Sequence, residues 1–196
     1  MLDLALSVLK EINKHNFEAY LVGGCVRNLI MGKTPSDFDI TTNARPEEIL
    51  KIFSDAKYEN DFGTVIYPIK DDAGQVLLVL EITTYRSETG YNDHRRPDEV
   101  CFENDLDQDL LRRDFTINAM AIKISDQGEK KYGAQEIVLE KKTFDLVDLF
   151  GGLKDINLKI IRAVGEPIDR FKEDALRMMR AVRFSAQLNF ELEPKT

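Results

Sequence analysis

Residues 21–42 read LVGGCVRNLIMGKTPSDFDITT, and two carboxylates in this stretch, Asp37 and Asp39, stand one residue apart. Alternate residues of a strand point to the same face, so the two carboxylates would project together, with Phe38 on the other side. Like charges at that range repel and should not both stay ionised without a cation. Mg²⁺ accepts such oxygen ligands and pairs one or two carboxylates with substrate phosphates. The pattern predicts a metal-dependent enzyme that acts on a nucleoside triphosphate.

The same stretch carries groups suited to phosphate. Gly23 and Gly24 let backbone approach a phosphate closely, and a Gly-Gly loop that runs into a helix offers unpaired N–H groups. Arg27, one turn into that helix, can reach a phosphate oxygen. Asp-x-Asp also occurs by chance in surface turns, but this combination within one short window makes chance a poor explanation.

A two-metal site generally requires a third carboxylate, and Glu81 is the best candidate. It lies in the apolar run LLVLEITT. An isolated Glu in an apolar strand is costly unless it is paired or bound to a metal. The alternative is that Glu81 faces solvent from an edge strand.

The composition is ordinary for a soluble globular chain, since 43% of the 196 residues are hydrophobic and 32% are charged. No apolar run approaches membrane-spanning length, and the N-terminus lacks a basic start and a small-residue cleavage site. These features predict a cytoplasmic protein with no membrane partner. Cys25 and Cys101 lie far apart without a CxxC partner, which is typical of reduced thiols.

The net charge of −8 by itself argues against nucleic-acid binding, because affinity for phosphate rests on Lys and Arg. Local distribution matters more than the sum, and acidic residues that bind metal would be neutralised. The arginines are concentrated at 95–96, at 112–113, and at Arg177, Arg180 and Arg183.

Hydrophobic periodicity and turn residues predict a small mixed sheet with helices against it, followed by a helix that opens a second domain. Asn43 is the expected cap of the third helix. The predicted helices cover 2–16, 25–31, 45–53, 106–113 with a continuation over 115–124, and about 168–187. The predicted strands cover 17–22, 37–41, a hairpin of 63–69 and 75–84, and short pieces within 130–147. Residues 86–100 are predicted to form a long polar loop, and residues 148–153 a turn.

The segment LRRDFTINAM, residues 111–120, predicts a second set of ligand-binding side chains. On a helix, Asp114 and Asn118 would share a face and could hold ribose hydroxyls, while Arg113 reaches toward the triphosphate. The alternative is that Asp114 caps a helix that starts there.

The segment EDALR, residues 173–177, has two interpretations. On a helix, Asp174 and Arg177 are three apart and could form a solvated ion pair of little energetic value. Alternatively, an Asp acceptor and an Arg donor held rigidly together could pair with the edge of a nucleobase. The spacing alone does not decide between them.

Taken together, these segments resemble the catalytic head of the class II tRNA nucleotidyltransferases, the family of CCA-adding enzymes and bacterial poly(A) polymerases. Four blocks match in order: LVGGCVRNLIMG…SDFDI, RRDFTINAMA, DLFGGLKDI…IIRAVGEP and EDALRMMRAVRF. The resemblance implies an α+β fold, with a polymerase-β-like nucleotidyltransferase head over 1–165 and the start of an α-helical neck over 166–196. It implies template-independent transfer of CMP and AMP from CTP and ATP to the 3′ end of tRNA.

The resemblance also implies roles for individual residues. Asp37 and Asp39 would be the ligands of Mg²⁺. Glu81, selected above from its place in an apolar strand and not from the resemblance, would be a further catalytic carboxylate. Residues 86–100 would correspond to the flexible loop used when family members switch from C to A. The residues that would bind the nucleotide are Gly23, Gly24, Arg27, Arg113, Asp114, Asn118, Glu173, Asp174, Arg177, Arg180 and Arg183.

The chain departs from the family pattern in two respects. Asn28 stands where the family usually has Asp, which would weaken a supporting ion pair near the phosphate loop. The body and tail domains that grip the tRNA are absent, and the closing NFELEPKT has no terminating element. We therefore expect a truncated piece with intact nucleotide binding and weak tRNA binding. The sequence predicts no oligomeric state.

Within the family, Phe62-Gly63-Thr64 and the retained loop 86–100 favour CCA addition over polyadenylation. An A-adding specialist, a poly(A) polymerase and a non-catalytic RNA-binding module with the same fold are the alternatives. The presence of both aspartates argues against the last of these.

Overall fold

A mixed β-sheet forms the centre of the computed structural model, which describes residues 1–59, 63–89, 99–125 and 130–196. The strands in those residues are β1 (Ala19–Val22), β2 (Phe38–Thr42), β3 (Lys57–Tyr58), β4 (Thr64–Lys70), β5 (Val76–Thr84), β6 (Arg86–Thr89), β7 (Glu99–Phe102), β8 (Ala121–Ile124), β9 (Gln135–Leu139), β10 (Lys142–Val147), β11 (Ile160–Ile161) and β12 (Glu191–Leu192). The main sheet has the order β3-β4-β5-β2-β1-β8-β10-β9, and two smaller sheets pair β6 with β7 and β11 with β12. Only the β2–β5 pair of the main sheet is parallel.

Seven α-helices accompany the sheet in the described part of the chain. They are α1 (Leu2–Lys14), α2 (Gly24–Ile30), α3 (Pro46–Ile52), α4 (Leu106–Leu111), α5 (Gly152–Leu158), α6 (Pro167–Glu173) and α7 (Leu176–Leu188). The apolar stripe of α1, which includes Leu6, Leu9 and Ile12, is buried in the main core. A mixed sheet with flanking helices is thus confirmed. None of these helices has the length and apolar character needed to cross a membrane.

The register of β2 and β5 brings two predicted carboxylates side by side. Asp39 of β2 is paired with Glu81 of β5, and Phe38 and Ile40 turn to the core. Glu81 faces outward, as the alternative interpretation required, but β5 lies between β2 and β4 and is not an edge strand. The apolar run around Glu81 therefore has one buried face and one exposed face.

The predicted helical continuation over 115–124 is wrong. Thr116–Asn118 form one 3₁₀ turn, and Ala121–Ile124 form β8, an interior strand between β1 and β10. Residues 119–122 are a short apolar run that is fully buried, and such a run lacks the alternation that marks a half-buried strand. Asp114 and Asn118 consequently do not share a helical face.

The predicted helix over 168–187 is interrupted at Asp174. Its backbone is extended, with φ −139° and ψ 107°, and α6 ends one residue before it. Its Oδ1 accepts a hydrogen bond from the N–H of Leu176, 2.9 Å away, where α7 begins. Asp side chains compete in this way with continued helix.

Three smaller expectations also fail. The Oδ1 of Asn43 accepts from the N–H of Glu18 at 2.8 Å, and the residue that caps α3 is Arg45. The predicted polar loop begins and ends as the β6–β7 ladder, and residues 90–98 lie outside the described residues, as does Phe62. The segment NFELEPKT is not without a regular element, because it contains β12, which pairs in parallel with β11.

Candidate active site

The Asp-x-Asp pair lies at the start of β2, on the outer face of the sheet. Asp37 precedes the strand, and its Oδ1 accepts from the Ser36 hydroxyl at 2.6 Å. The pKa of Asp39 is raised from 3.8 to about 6, first by burial and then by the charge of Glu81, while Arg113 opposes the shift. Partial burial, Glu59 and Asp37 likewise raise the pKa of Glu81. Ionised carboxylates repel one another here, as expected of a place suited to a cation.

The chemistry of this pair fits a hard divalent cation. Asp37 and Asp39 offer carboxylate oxygens, which Mg²⁺ prefers when it also binds substrate phosphates. In the described residues, no group of three or more His, Cys, Asp or Glu side chains is arranged to hold a metal ion. The expected set of three carboxylates is therefore not assembled, although Glu81 is the cross-strand neighbour of Asp39.

A cavity of about 720 Å³ opens beside the pair and has a positive lining. Every predicted nucleotide-binding residue except Glu173 lines it, and so do Asp37 and Asp39, whereas Glu81 does not. Its charged lining consists of seven arginines, Arg27, Arg86, Arg112, Arg113, Arg177, Arg180 and Arg183, and five carboxylates, Asp37, Asp39, Glu88, Asp114 and Asp174. The local surplus of two positive charges contrasts with the net charge of −8.

Gly23 lines this cavity, and its lack of a side chain lets two charged groups lie close to its backbone. Its φ of +79° favours glycine, and a Cβ there would lie 3.3 Å from Nη1 of Arg113 and 3.6 Å from Oδ2 of Asp39. A side chain at this position would therefore crowd both groups.

Arg113 is held by a carboxylate that the sequence analysis did not select. Asp109 is fully buried, and its Oδ2 accepts from Nη2 of Arg113 at 3.0 Å and from the hydroxyl of Thr41 at 3.1 Å. Its Oδ1 accepts from Nη2 of Arg112 at 2.7 Å. Burial opposes ionisation, but the two arginines lower the pKa of Asp109 to about 2. Asp109 is thus a charged anchor at physiological pH.

Arg27 is fixed by two amide side chains. Its Nη1 donates to Oδ1 of Asn118 at 2.6 Å, and its Nε and Nη2 donate to Oδ1 of Asn28 at 3.2 and 3.0 Å. Asn28 therefore accepts hydrogen bonds from Arg27 as the family's Asp would, but it is neutral and does not balance the charge of Arg27. Burial lowers the pKa of Arg27, while Asp114 and Asp37 oppose that shift.

Asp114 and the aromatic ring of Phe184 organise the far wall. The Oδ2 of Asp114 accepts from Nε of Arg180 at 2.6 Å, and its Oδ1 accepts from the N–H of Phe115 at 2.9 Å. The guanidinium carbons of three arginines lie 5.3 Å from the Phe184 ring centroid, within cation–π range. They belong to Arg27, Arg180 and Arg183.

Arg177 does not pair with the side chain of Asp174. Its Nη1 donates to Glu173 at 2.6 Å, and its Nη2 donates to the backbone oxygen of Arg112 at 3.1 Å. The Asp174–Arg177 ion pair, one of the two interpretations of this segment, is therefore not formed, because Asp174 accepts from the N–H of Leu176 at the break between α6 and α7. Both side chains nevertheless line the same cavity.

Several residues that line the cavity or anchor its arginines were not predicted from the sequence. Asp109 stands four residues before Arg113 on a predicted helix, and this acid-to-base spacing could have revealed it. Arg86 and Glu88 were assigned to a polar loop, and nothing in the local sequence relates them to Arg112, whose Nη1 donates to Glu88 at 3.1 Å.

Comparison with known proteins identifies the family. A family model described as the poly A polymerase head domain matches residues 19–162. The chain belongs to the poly A polymerase head domain family. Nucleotidyltransferases of this family are metal-dependent. The family resemblance drawn from the four sequence blocks is therefore confirmed.

Individual relatives of this head domain are CCA-adding enzymes. The chain is 47% identical over 195 residues to the CCA-adding enzyme of Lactobacillus helveticus (strain DPC 4571), covering 98% of this chain and 42% of that protein. It is 45% identical to that of Enterococcus faecalis (strain ATCC 700802 / V583), with 98% and 42% covered. The chain thus spans less than half the length of these curated relatives.

Solved structures of this family match the head domain as well. The Bacillus stearothermophilus CCA-adding enzyme in complex with CTP has a TM-score of 0.77 and 38% identity, covering 98% of this chain and 40% of that one. A tRNA nucleotidyltransferase complexed with a primer tRNA and an incoming ATP analog has a TM-score of 0.68 and 33% identity, covering 96% and 47%.

Proposed function

We propose that the chain is the catalytic part of a CCA-adding nucleotidyltransferase, which transfers CMP and AMP from CTP and ATP to the 3′ end of tRNA without a template. The observation that supports this proposal most directly is the arginine-lined cavity that has Asp37 and Asp39 on its border. A triphosphate is polyanionic, and a carboxylate pair next to a cationic cavity can bind both the phosphates and the cation that accompanies them.

Different residues of the cavity would have different roles in nucleotidyl transfer. Arg113, held by Asp109, and Arg27, held by Asn118, present fixed guanidinium groups to the triphosphate. Fixed donors need not reorganise as charge moves to the leaving pyrophosphate. Mg²⁺ at Asp37 and Asp39 would activate the attacking hydroxyl and neutralise the leaving group. Glu81, beside Asp39, is proposed as the further carboxylate.

The end of the cavity formed by α6 and α7 is suited to base recognition. Glu173 and the backbone oxygen of Arg112 hold the guanidinium of Arg177, which therefore presents its donors in a fixed direction. Asp174 adds an acceptor on the same wall. Donors and acceptors held in register can discriminate C and A from U and G by the hydrogen bonds that they form.

The proposed division of the chain has a nucleotidyltransferase head over 1–165 and the beginning of a helical neck over 166–196. Two side-chain contacts join these segments at the cavity: Arg180 donates to Asp114, and Arg177 donates to the backbone of Arg112. The nucleotide would thus bind where the two segments meet.

Product length on a suitable acceptor tests this proposal. A tRNA that ends at its discriminator base is incubated with the protein, Mg²⁺, CTP and ATP, and the products are separated at single-nucleotide resolution. We expect three added nucleotides. A long A tail would indicate a poly(A) polymerase, and addition of a single A only to a CC-ending tRNA would indicate an A-adding specialist.

Two variants complete this experiment. Asp39→Ala should abolish incorporation at any Mg²⁺ concentration, because the carboxylate that would bind the cation is gone. Asp72→Asn removes one negative charge from an exposed turn and should leave incorporation unchanged. Retained CMP incorporation by Asp39→Ala would contradict the proposed metal role.

A further inference from the structure

In the described part of the chain, Arg27 is a buried cation without a carboxylate partner. Among the residues that the structure describes, five of the seven cavity arginines lie within ion-pair distance of a carboxylate, and Arg27 and Arg183 do not. Arg183 is exposed, so water can solvate its charge, whereas Arg27 is only 8% exposed. A buried charge without a partner of opposite sign is costly. Arg27 is therefore the arginine that gains most from an anionic ligand.

Neutral groups hold the guanidinium of Arg27 in place. Oδ1 of Asn28 accepts from its Nε at 3.2 Å and from its Nη2 at 3.0 Å, and Oδ1 of Asn118 accepts from its Nη1 at 2.6 Å. The ring centroid of Phe184 lies 5.3 Å from the guanidinium carbon. A guanidinium has five N–H donors, so two remain for a ligand. Nη2 lies 3.6 Å from the place that a Cβ of Gly24 would take, which puts it beside the Gly-Gly loop.

The carboxylates that act on Arg27 from a distance have other partners. Burial lowers the pKa of Arg27, and the charges of Asp114 and Asp37 oppose that shift. Oδ2 of Asp114 accepts from Nε of Arg180 at 2.6 Å. Under the proposed function, a cation neutralises Asp37. The phosphates of the nucleotide then become the counterion of Arg27.

Resting on the proposed function, we infer that Asn28 is a positioning residue that leaves the charge of Arg27 to the phosphates and thereby sets the affinity of the site for triphosphate and for pyrophosphate. Asn28 supplies an oxygen that orients two donors, but no charge that competes with the ligand. A carboxylate at the same position would accept the same two hydrogen bonds and would also neutralise the cation. Orientation and charge can therefore be altered separately at this one position.

Two substitutions separate these effects. Asn28→Asp keeps the acceptor oxygen and adds a charge, whereas Asn28→Ala removes the oxygen and adds no charge. We expect Asn28→Asp to raise the dissociation constant for CTP about tenfold, the size expected for one charge at roughly 7 Å from a phosphate in partly screened surroundings. Asn28→Ala should raise it only about threefold, because the guanidinium loses its orientation but keeps its charge. If Asn28 only supported the fold, the order would be reversed, since Asp keeps the hydrogen bonds and Ala loses them.

Titration calorimetry with Mg²⁺ and without an RNA acceptor gives the dissociation constants of CTP and of inorganic pyrophosphate. Pyrophosphate has neither base nor ribose, so an equal change for both ligands assigns the effect to the phosphates. Asn118→Asp puts a carboxylate at Nη1 of the same guanidinium and should weaken pyrophosphate binding by a similar factor, which keeps the experiment informative if Asn28→Asp does not fold. Asn13→Asp on the exposed side of α1 is the matched control, because it adds the same charge and should change both constants by less than about twofold.

Steady-state kinetics distinguish the two substitutions in a second way. Asn28→Asp keeps the donors of Arg27 fixed, so KM for CTP should rise while kcat stays within about twofold of the original. Asn28→Ala lets the donors reorganise as charge moves to the leaving pyrophosphate, so its larger loss should be in kcat. A residue that only stabilised the fold would not divide KM from kcat in this way.

The outcomes separate this inference from the proposed function. Unchanged dissociation constants in Asn28→Asp, or weaker binding by Asn28→Ala than by Asn28→Asp, would overturn this role of Asn28 and leave nucleotidyl transfer intact. A change for CTP without one for pyrophosphate would place the effect on the base or ribose and contradict the inference. If the unaltered protein binds pyrophosphate but adds no nucleotide to a tRNA, the proposed function fails, and pyrophosphate binding still decides the role of Asn28. If the unaltered protein binds neither ligand, both fail.

Discussion

Replacing Asp39 with Asn should stabilise the protein while abolishing its activity. Burial and the neighbouring Glu81 raise the pKa of Asp39 from 3.8 to about 6. Because the folded-state pKa exceeds the unfolded one, the stabilising contribution of this carboxyl is complete below pH 3.8 and is lost as the pH rises through 6. Ionised Asp39 therefore destabilises the metal-free protein at neutral pH, and the isosteric, neutral Asn does not carry this cost.

The magnitude follows from the size of the shift. A pKa difference of roughly two units corresponds to about 3 kcal/mol when the group is fully ionised. At pH 7.5 we therefore expect Asp39→Asn to raise the free energy of unfolding by about 3 kcal/mol. At pH 4.5, where the folded-state carboxyl is mostly protonated, the gain should fall to about 1 kcal/mol.

The assay is urea unfolding in EDTA at both pH values, followed by the same measurement at pH 7.5 with Mg²⁺. A cation that binds the folded protein at 100 times its dissociation constant adds about 2.7 kcal/mol, and this gain should appear in the unaltered chain but not in Asp39→Asn. The exposed Asp72→Asn should match the unaltered chain throughout. Equal urea midpoints for Asp39→Asn and the unaltered chain at pH 7.5 would refute the reasoning.

Three further predictions concern one position of close packing in the fold and two residues at the cavity. Gly152→Ala would place a Cβ in steric overlap with the backbone oxygen of Thr116, so urea unfolding should show a loss of about 3 kcal/mol in the free energy of unfolding; a loss below about 1 kcal/mol would mean that α5 can move away. Asp109→Asn removes the charged partner of two arginines, so steady-state assays should show a higher KM for CTP. The free energy of unfolding should fall by about 3 kcal/mol at pH 7, and this difference should disappear as the pH falls toward 2. A loss of stability that persists at low pH would argue against a role of the Asp109 charge. Arg177→Ala should abolish the preference for CTP and ATP over UTP and GTP in competition assays, and unchanged selectivity would move base recognition elsewhere.

The parts of the fold that the sequence predicted are those with a regular local pattern. Local hydrophobic periodicity or a turn residue is enough to predict three of these parts. They are the apolar stripe of α1, the Gly-Gly entry into α2, and the hairpin of β4 and β5. The sequence also predicted that Asp37 and Asp39 lie together, and both line the cavity although Asp37 precedes β2. Predicting these features requires no knowledge of contacts with residues distant along the chain.

The parts that the sequence did not predict depend on partners distant along the chain. Residues 115–124 form a turn and a strand because β1 and β10 lie on either side, and an apolar run by itself does not distinguish a buried strand from a buried helix. The break at Asp174 follows from a single side-chain hydrogen bond to Leu176. Glu88 lies on β6, which pairs with β7, and accepts a hydrogen bond from Arg112, which is 24 residues away along the chain.

The net charge of the chain argues against the proposed binding of a nucleoside triphosphate, but the distribution of charge in the structure favours it. A charge of −8 predicts repulsion of a triphosphate, yet seven arginines and only five carboxylates line the cavity. At physiological ionic strength, charges beyond about 8 Å are largely screened, so the ligand responds mainly to the residues that surround it. Two of the five carboxylates, Asp37 and Asp39, would also be neutralised by a bound cation, which raises the local surplus from two to four. Removing the cation should therefore weaken CTP binding more steeply than adding salt does, and equal sensitivity to both would mean that the arginines alone bind the nucleotide.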